Sequence, residues 1–353
     1  PSDIHADVTD EGIAAIDALR AMRPELGGAV TDYMATPRGC YRDYSLGTIY
    51  YTSYTGVHYL DGHIYWLWNN QGRNNGKLGY PVADPVMTDD GLVEYSLFQN
   101  GTIVYDVQKG VRLVYGPVYD MWIESGGLTG EYGYPITNTH ETGDHLMYQN
   151  FEGGRIELNV SGFSLRDEVE RRGIEVHDQS PRGTCSVFAI AFLLEYNYSY
   201  LLGEDYSHLS VEYLNHAANV VSGRRDDGDF FTNVINGYYE YGVVKEYVWP
   251  YTNSYNFTEA NLLFTDTMIT EGRELLEPNL GMEFNSLRFE KEDGLLNEAA
   301  FTTIQMYLYR GFPLAVGRGH SMGLVGYKFD DNYDGGGYFT FKERKMAMTT
   351  FLF

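Results

Sequence analysis

The sequence predicts an α+β protein in two parts, a β-rich repeat module over residues 1–162 and a mixed α+β domain over residues 163–353. Three observations predict it. A set of features recurs about every 54 residues through the first half and stops near Arg171. An apolar run, Ser186–Leu194, continues a helix that starts at Cys185. A glycine-spaced apolar strand begins at His320.

The first part is justified by its period. GTIY at Gly47 returns as GTIV at Gly101, 54 residues on, and as GRIE at Gly154, 53 further. GHIYWLW at Gly62 returns as GPVYDMW at Gly116, and LGYP at Leu78 as YGYP at Tyr132. The stretch LGGAVTDYMATP from Leu26 reads as a degraded earlier copy of SGGLTGEYGYP. Each unit reads as a short amphipathic helix closed by Gly, a Gly-Tyr-Pro turn, a polar hairpin and a β-rich strand. One unit is too small to bury its own apolar face, so the units should pack on one another.

Composition excludes several roles. The net charge of −24 argues against nucleic acid and against an anionic membrane as partners. No apolar run is long enough to span a bilayer. Two cysteines, Cys40 and Cys185, make no disulfide framework. The chain starts at Pro1 without a signal peptide and is read as a mature or trimmed form of a secreted protein. DDNYDG at Asp330 begins like a calcium loop, but Phe341 stands at its twelfth position, so it is read as an acidic hairpin turn.

The repeat residues resemble the LGFP repeat, over roughly residues 10–158. The resemblance implies an exported, cell wall-associated protein, with wall glycan bound by the repeats. A spacer or pro-domain role for the repeats stays open.

The second part carries the chemistry. Cys185 begins a helix, where the terminal N–H groups favour a thiolate; the alternative is a buried small hydrophobe. A cysteine nucleophile also needs a base and a donor pair for the oxyanion. Gln179 lies six residues upstream and His320 lies 135 downstream, among Gly317, Gly319, Ser321 and Gly323.

These residues resemble the papain family of cysteine peptidases. RRGIEVHDQ (171–179), LSVEYLNHA (209–217), DDGDFFTNVINGYYEYGVVKEYVWPY (226–251) and GHSMGLVGY (319–327) match that family's blocks in order. The resemblance implies a two-lobe domain, one lobe helical and one β-barrel-like, with the site between them. It implies Cys185 as nucleophile, His320 as base and acid, and Gln179 as oxyanion donor. Gly228 and Asp229 fall where the family binds a substrate backbone, and Phe230 and Phe231 near its apolar pocket. The family's third catalytic residue, Asn, aligns with Glu343, and its shielding Trp with Lys345. Its disulfide cysteines align with Arg182 and His216. The reaction implied is hydrolysis of a peptide or protein substrate through a thioester, with no cofactor and no metal. Two alternatives stay open: a catalytically impaired structural or assembly protein of the same fold, and an enzyme passing the acyl group to another amine on wall peptides.

Overall fold

The structure is a computed structural model. It describes residues 9–36, 39–53, 55–175, 177–179, 181–202, 208–259, 263–274, 276, 284, 291–292, 295–318, 320–330, 332, 337–341 and 345–347. The chain divides into two units. Unit 1 holds residues 1–161 with 288–309, and unit 2 holds 162–287 with 310–351.

Three copies of one supersecondary unit build residues 10–159. The first is helix α1 (Asp10–Met22) with strands β1 (Met34–Thr36), β2 (Gly39–Tyr44), β3 (Gly47–Thr52) and β4 (Gly56–Asp61). The second is α2 (Gly62–Asn70) with β5 (Val86–Met87), β6 (Val93–Phe98), β7 (Gly101–Asp106) and β8 (Gly110–Tyr115). The third is α3 (Gly116–Glu124) with β9 (His140–Glu141), β10 (Leu146–Phe151) and β11 (Gly154–Asn159). Each sheet is antiparallel and runs in sequence order. A two-residue hairpin recurs in all three, closing Tyr44 on Gly47, Phe98 on Gly101 and Phe151 on Gly154.

The repeated residues explain the repeated shape. Trp68 and Trp122 are buried, and each donates its indole N–H to the carbonyl of the turn glycine, Gly79 at 3.1 Å and Gly133 at 2.9 Å. Each ring stacks on the phenylalanine that ends the second strand of its copy, Phe98 of β6 or Phe151 of β10, with centroids 5.9 Å apart. The turn glycine is left-handed in every copy, with φ of +79° at Gly27, +71° at Gly79 and +64° at Gly133. This corrects the register read for the first copy. Its turn is Leu26–Ala29, where Ala29 bridges Tyr44 just as Pro81 bridges Phe98 and Pro135 bridges Phe151. The first copy has no tryptophan, and α1 instead buries Ile16 and Leu19 against Cys40, Tyr44 and Ile49. The second and third copies share one core with the last strands of the first, which runs from Tyr50 and Leu60 through Trp68 and Ile103 to Trp122 and Ile156.

Two pieces of the later chain fall in unit 1. They are the short hairpin of β13 (Lys291–Glu292) and β14 (Leu295–Leu296), and the helix Glu298–Tyr309. That helix, expected in the 163–353 region, packs on α3 and receives an N–H from Asn100 at the Ala299 carbonyl, 3.0 Å.

In unit 2, β12 (Gly162–Ser164), α4 (Arg166–Arg171), α5 (Cys185–Leu202), α6 (Val211–Ser222) and α7 (Phe231–Tyr241) precede the helix Asp266–Glu274. Strands β15 (Leu314–Arg318), β16 (His320–Phe329), β17 (Gly337–Phe341) and β18 (Lys345–Ala347) follow. All five strands form one antiparallel sheet ordered β12-β16-β17-β18, with β15 also paired to β16. The sheet is open: the barrel implied by the resemblance is not closed among the described residues, where no pairing joins β12 or β15 to β18. Helix α5 is apolar all round because its faces are covered by α6, α7 and the β15–β16 hairpin. Among the described residues no helix is long and apolar enough to cross a membrane.

Candidate active site

Cys185 is the first residue of α5 and is half-buried, with a free thiol. The turn before it is held by its neighbours. The Thr184 carbonyl accepts from Val187 and Phe188 at 3.0 and 3.1 Å. The Thr184 hydroxyl meets the Tyr251 hydroxyl at 2.7 Å, and Tyr251 in turn donates to the Gln179 carbonyl at 2.8 Å. Gln179 donates an amide hydrogen to the Arg182 carbonyl at 2.6 Å, which uses one of the two hydrogens on that nitrogen. The other cysteine, Cys40, is buried in unit 1, and burial pushes its thiol pKa up.

A buried ionic knot fixes this turn to α6. The Arg182 guanidinium is bidentate to Glu212, bonds Asp227 at 2.7 Å and donates to the Thr252 carbonyl at 2.8 Å. Burial opposes the charge, and the bonds to Asp227 and Glu212 outweigh it, raising the Arg182 pKa above the usual value. Arg182 and His216 stand where the resembled family carries cysteines. Here His216 sits among Trp249 and Phe264, with ring centroids 5.5 and 4.7 Å away, and burial pushes its pKa down to about 4.

The expected substrate-binding pair is committed inside the protein. The Gly228 N–H donates to Asn215 Oδ1 at 2.9 Å, and the Asp229 N–H to Ser186 Oγ at 3.3 Å. The Asp229 carboxylate is also occupied, accepting from Ser222, Phe230 and Asn233 at 2.6–2.8 Å. Gly228 is left-handed at φ +71°, and a Cβ there would lie 2.3 Å from the Gly183 carbonyl. Phe230 is 75% exposed, whereas Phe231 is half-buried against the α5–α7 core.

His320 opens β16, exposed, opposite Arg318. Close approaches tie the neighbouring segments together. Gly228 abuts Gly183, two residues before Cys185. Three residues after Gly228, the Phe231 ring lies 3.1 Å from where a Gly317 Cβ would be, and Ser321 Oγ lies 3.2 Å from the same point. Further along, Phe192 of α5 covers Gly323 so closely that a Cβ there would lie 2.4 Å from the ring. Among the described residues no hydrogen bond joins Cys185 to His320. Gly319 and Glu343 lie outside the described residues. Thr184 and Tyr251 hold the turn before Cys185 and Asn215 holds the Asp226–Gly228 loop, roles the sequence does not display because these residues come from three segments with no shared spacing.

A cavity of about 260 Å³ in unit 2 is lined by α4, Tyr196, Asn197 and Arg310–Phe312, and none of the expected site residues borders it.

Comparison with known proteins bears first on unit 1. The LGFP repeat profile matches residues 26–76 and 78–130. No curated protein sequence matches the chain significantly. Among solved structures, a likeness is found to xylellain, a cysteine protease from Xylella fastidiosa, at 14% identity and a TM-score of 0.35, covering 51% of this chain and 73% of that one. Another is to procathepsin L 3 of the Tenebrio molitor larval midgut, at 16% identity and a TM-score of 0.35, covering 51% and 58%. Unit 1 thus carries LGFP repeats, a type of repeat typical of cell wall-associated proteins.

Proposed function

We propose that unit 2 is an exported cysteine peptidase held at the cell wall by the LGFP repeats of unit 1. The observation that supports this reading is that Cys185, half-buried with a free thiol, opens α5, and His320, exposed, opens β16, a strand packed on that helix. In the reaction, Cys185 Sγ attacks the peptide carbonyl carbon. The Cys185 N–H and the Gln179 amide stabilise the oxyanion, and His320 passes its proton to the leaving amine. Water then attacks the thioester, giving its proton to His320, and the acid is released. Phe230 offers an exposed apolar surface to a substrate side chain. Glu343 is assigned the orienting role toward the imidazole on the sequence match alone.

A second reading is a structural protein of the same fold without catalysis. It is supported by the internal bonds of the Gly228 and Asp229 N–H groups. A papain-directed epoxide followed by mass spectrometry separates the two. The peptidase reading expects one adduct, on Cys185 and not on buried Cys40, and a loss of peptide cleavage of at least about 10³-fold in Cys185→Ala. No adduct, or unchanged cleavage by Cys185→Ala, refutes it. The full chain should also sediment with purified bacterial cell wall.

A further inference from the structure

Unit 2 gathers a second cluster that the peptidase chemistry does not use. His177 lies in the segment leading to Gln179, His208 just before α6, and Glu246 after α7. One ring nitrogen from each histidine and one Glu246 carboxylate oxygen all lie within 4.8 Å of one another. Three segments far apart in sequence therefore aim one ligand atom each at a common point.

We propose that His177, His208 and Glu246 bind a divalent cation of the zinc class, with water in the fourth position. Three observations carry this. First, the donor set is two imidazoles and one carboxylate, which suits zinc and its transition-metal neighbours and not calcium or magnesium, whose shells are oxygen. Second, a supporting shell is in place. His177 Nε2 lies 2.9 and 3.1 Å from the two oxygens of Glu195, a fully buried residue of α5. Glu195 is itself fixed by the Leu209 N–H at 2.9 Å. A carboxylate accepting from one imidazole nitrogen fixes the tautomer and leaves Nδ1 as the lone-pair donor, the usual support of a metal-bound histidine. Third, His208 is held ready. Its backbone is left-handed at φ +66°, an unusual conformation for a residue with a Cβ, and its carbonyl is fixed by the Glu246 N–H at 2.7 Å. One hydrogen bond thus ties two of the three ligands together.

The spacing suits the ion. Ligand bonds near 2 Å in a tetrahedron put donor atoms roughly 3.3 Å apart, so side-chain rotation closes the remaining gap. The two imidazoles stand at 86° with centroids 5.1 Å apart, so they do not stack face to face across the point where the ion sits. Occupancy would staple the approach to Gln179, the entry to α6 and the strand-like segment at Lys245, which bridges Leu209. The proposal does not depend on peptidase activity.

The test uses the untagged full chain stripped with chelator. Cobalt(II) is the spectroscopic probe and zinc(II) the calorimetric one. The expected result is one equivalent bound, with the intense visible absorption of low-coordinate cobalt, displaced by zinc, and a higher melting temperature when loaded. His208→Asn keeps a residue that tolerates the left-handed backbone, and Glu246→Gln keeps shape. Each should weaken binding by at least about tenfold, and the double variant should lose the cobalt band while keeping the wild-type far-UV dichroism. Absence of the band in the wild type, or an unchanged band in the double variant, overturns the proposal. Should the variants not fold, X-ray absorption of the zinc-loaded wild type decides: two imidazoles in the first shell support the site, and none refutes it.

Discussion

Unit 1 solves one packing problem three times, whereas unit 2 solves several problems once each. In its second and third copies the same indole bonds the same turn glycine and stacks on the same strand-end phenylalanine, and in the first Ile16 and Leu19 of α1 fill the core instead. In unit 2 the turn carrying Cys185 is held by Arg182, Glu212 and Asp227, a set of charges with no second copy. Apolar repetition tolerates local damage, because neighbouring copies carry equivalent contacts. A buried ionic knot does not, because removing one partner strands the others without water. The repeats are therefore suited to a scaffold, and the knot to holding one backbone turn in one place.

The sharpest way to break this contrast is at Arg182. Arg182→Leu leaves Glu212 buried and unpaired and should cost about 3–5 kcal/mol, read as a shift of the urea midpoint of unit 2. Replacing Arg182, Glu212 and Asp227 together with apolar residues should cost much less. Equal losses in the single and triple variants would show that the knot acts by packing and not by charge.

The next effect tests whether the repeats are equivalent in energy as well as in shape. Trp68→Phe and Trp122→Phe each delete an indole donor and some volume and should each cost about 2–3 kcal/mol. The two costs should agree within about 0.5 kcal/mol. A large difference would mean that the shared core favours one copy. Trp66 serves as the control: it is 59% exposed, and its replacement should leave stability unchanged.

How much of this was legible in the sequence follows the same contrast. The period of 54 announced the strands at Gly47, Gly101 and Gly154 and the helices at Gly62 and Gly116, because repetition turns a weak local pattern into a strong one. Where the first copy lost its Tyr-Pro, the text match slid to Met34–Pro37. The backbone kept the left-handed glycine at Gly27, a property of φ that letters do not display. Trp68 and Trp122, conspicuous in sequence, proved to be core, so any glycan contact in these repeats must use other side chains. In unit 2 the helix starting at Cys185 was legible from its apolar run, and the strand starting at His320 from its glycine-spaced apolar pattern. The Arg182–Glu212–Asp227 knot and the His177–His208–Glu246 cluster were not, because each joins three separate segments with no fixed spacing. The barrel was inferred from the resemblance, and the open sheet reflects strands that a family pattern does not count.

The smallest of these effects is a pH dependence that unit 2 should show through His216. This imidazole is buried on α6 between Trp249 and Phe264, and burial alone pushes its pKa from the ordinary 6.5 down to about 4. The folded chain then keeps His216 neutral while the unfolded chain takes up a proton through the ordinary imidazole range. The unfolded state binds more protons below that range, so stability falls as the pH falls, from the ordinary value down to about 4. Its contribution is complete above the ordinary imidazole value. Between about pH 7 and about pH 5 the loss should be about 2 kcal/mol. Carboxylates titrate over part of the same window, so the measurement is a difference: urea midpoints of the wild type and of His216→Phe at the two pH values. Phenylalanine keeps the aromatic packing and cannot take a proton. The wild type should lose about 2 kcal/mol more than the variant on acidification. Parallel losses would show that His216 finds a proton-accepting partner in the fold. The acid sensitivity of unit 2 would then belong to its carboxylates, and the position matched to a disulfide cysteine in the resembled family would carry no pH dependence of its own.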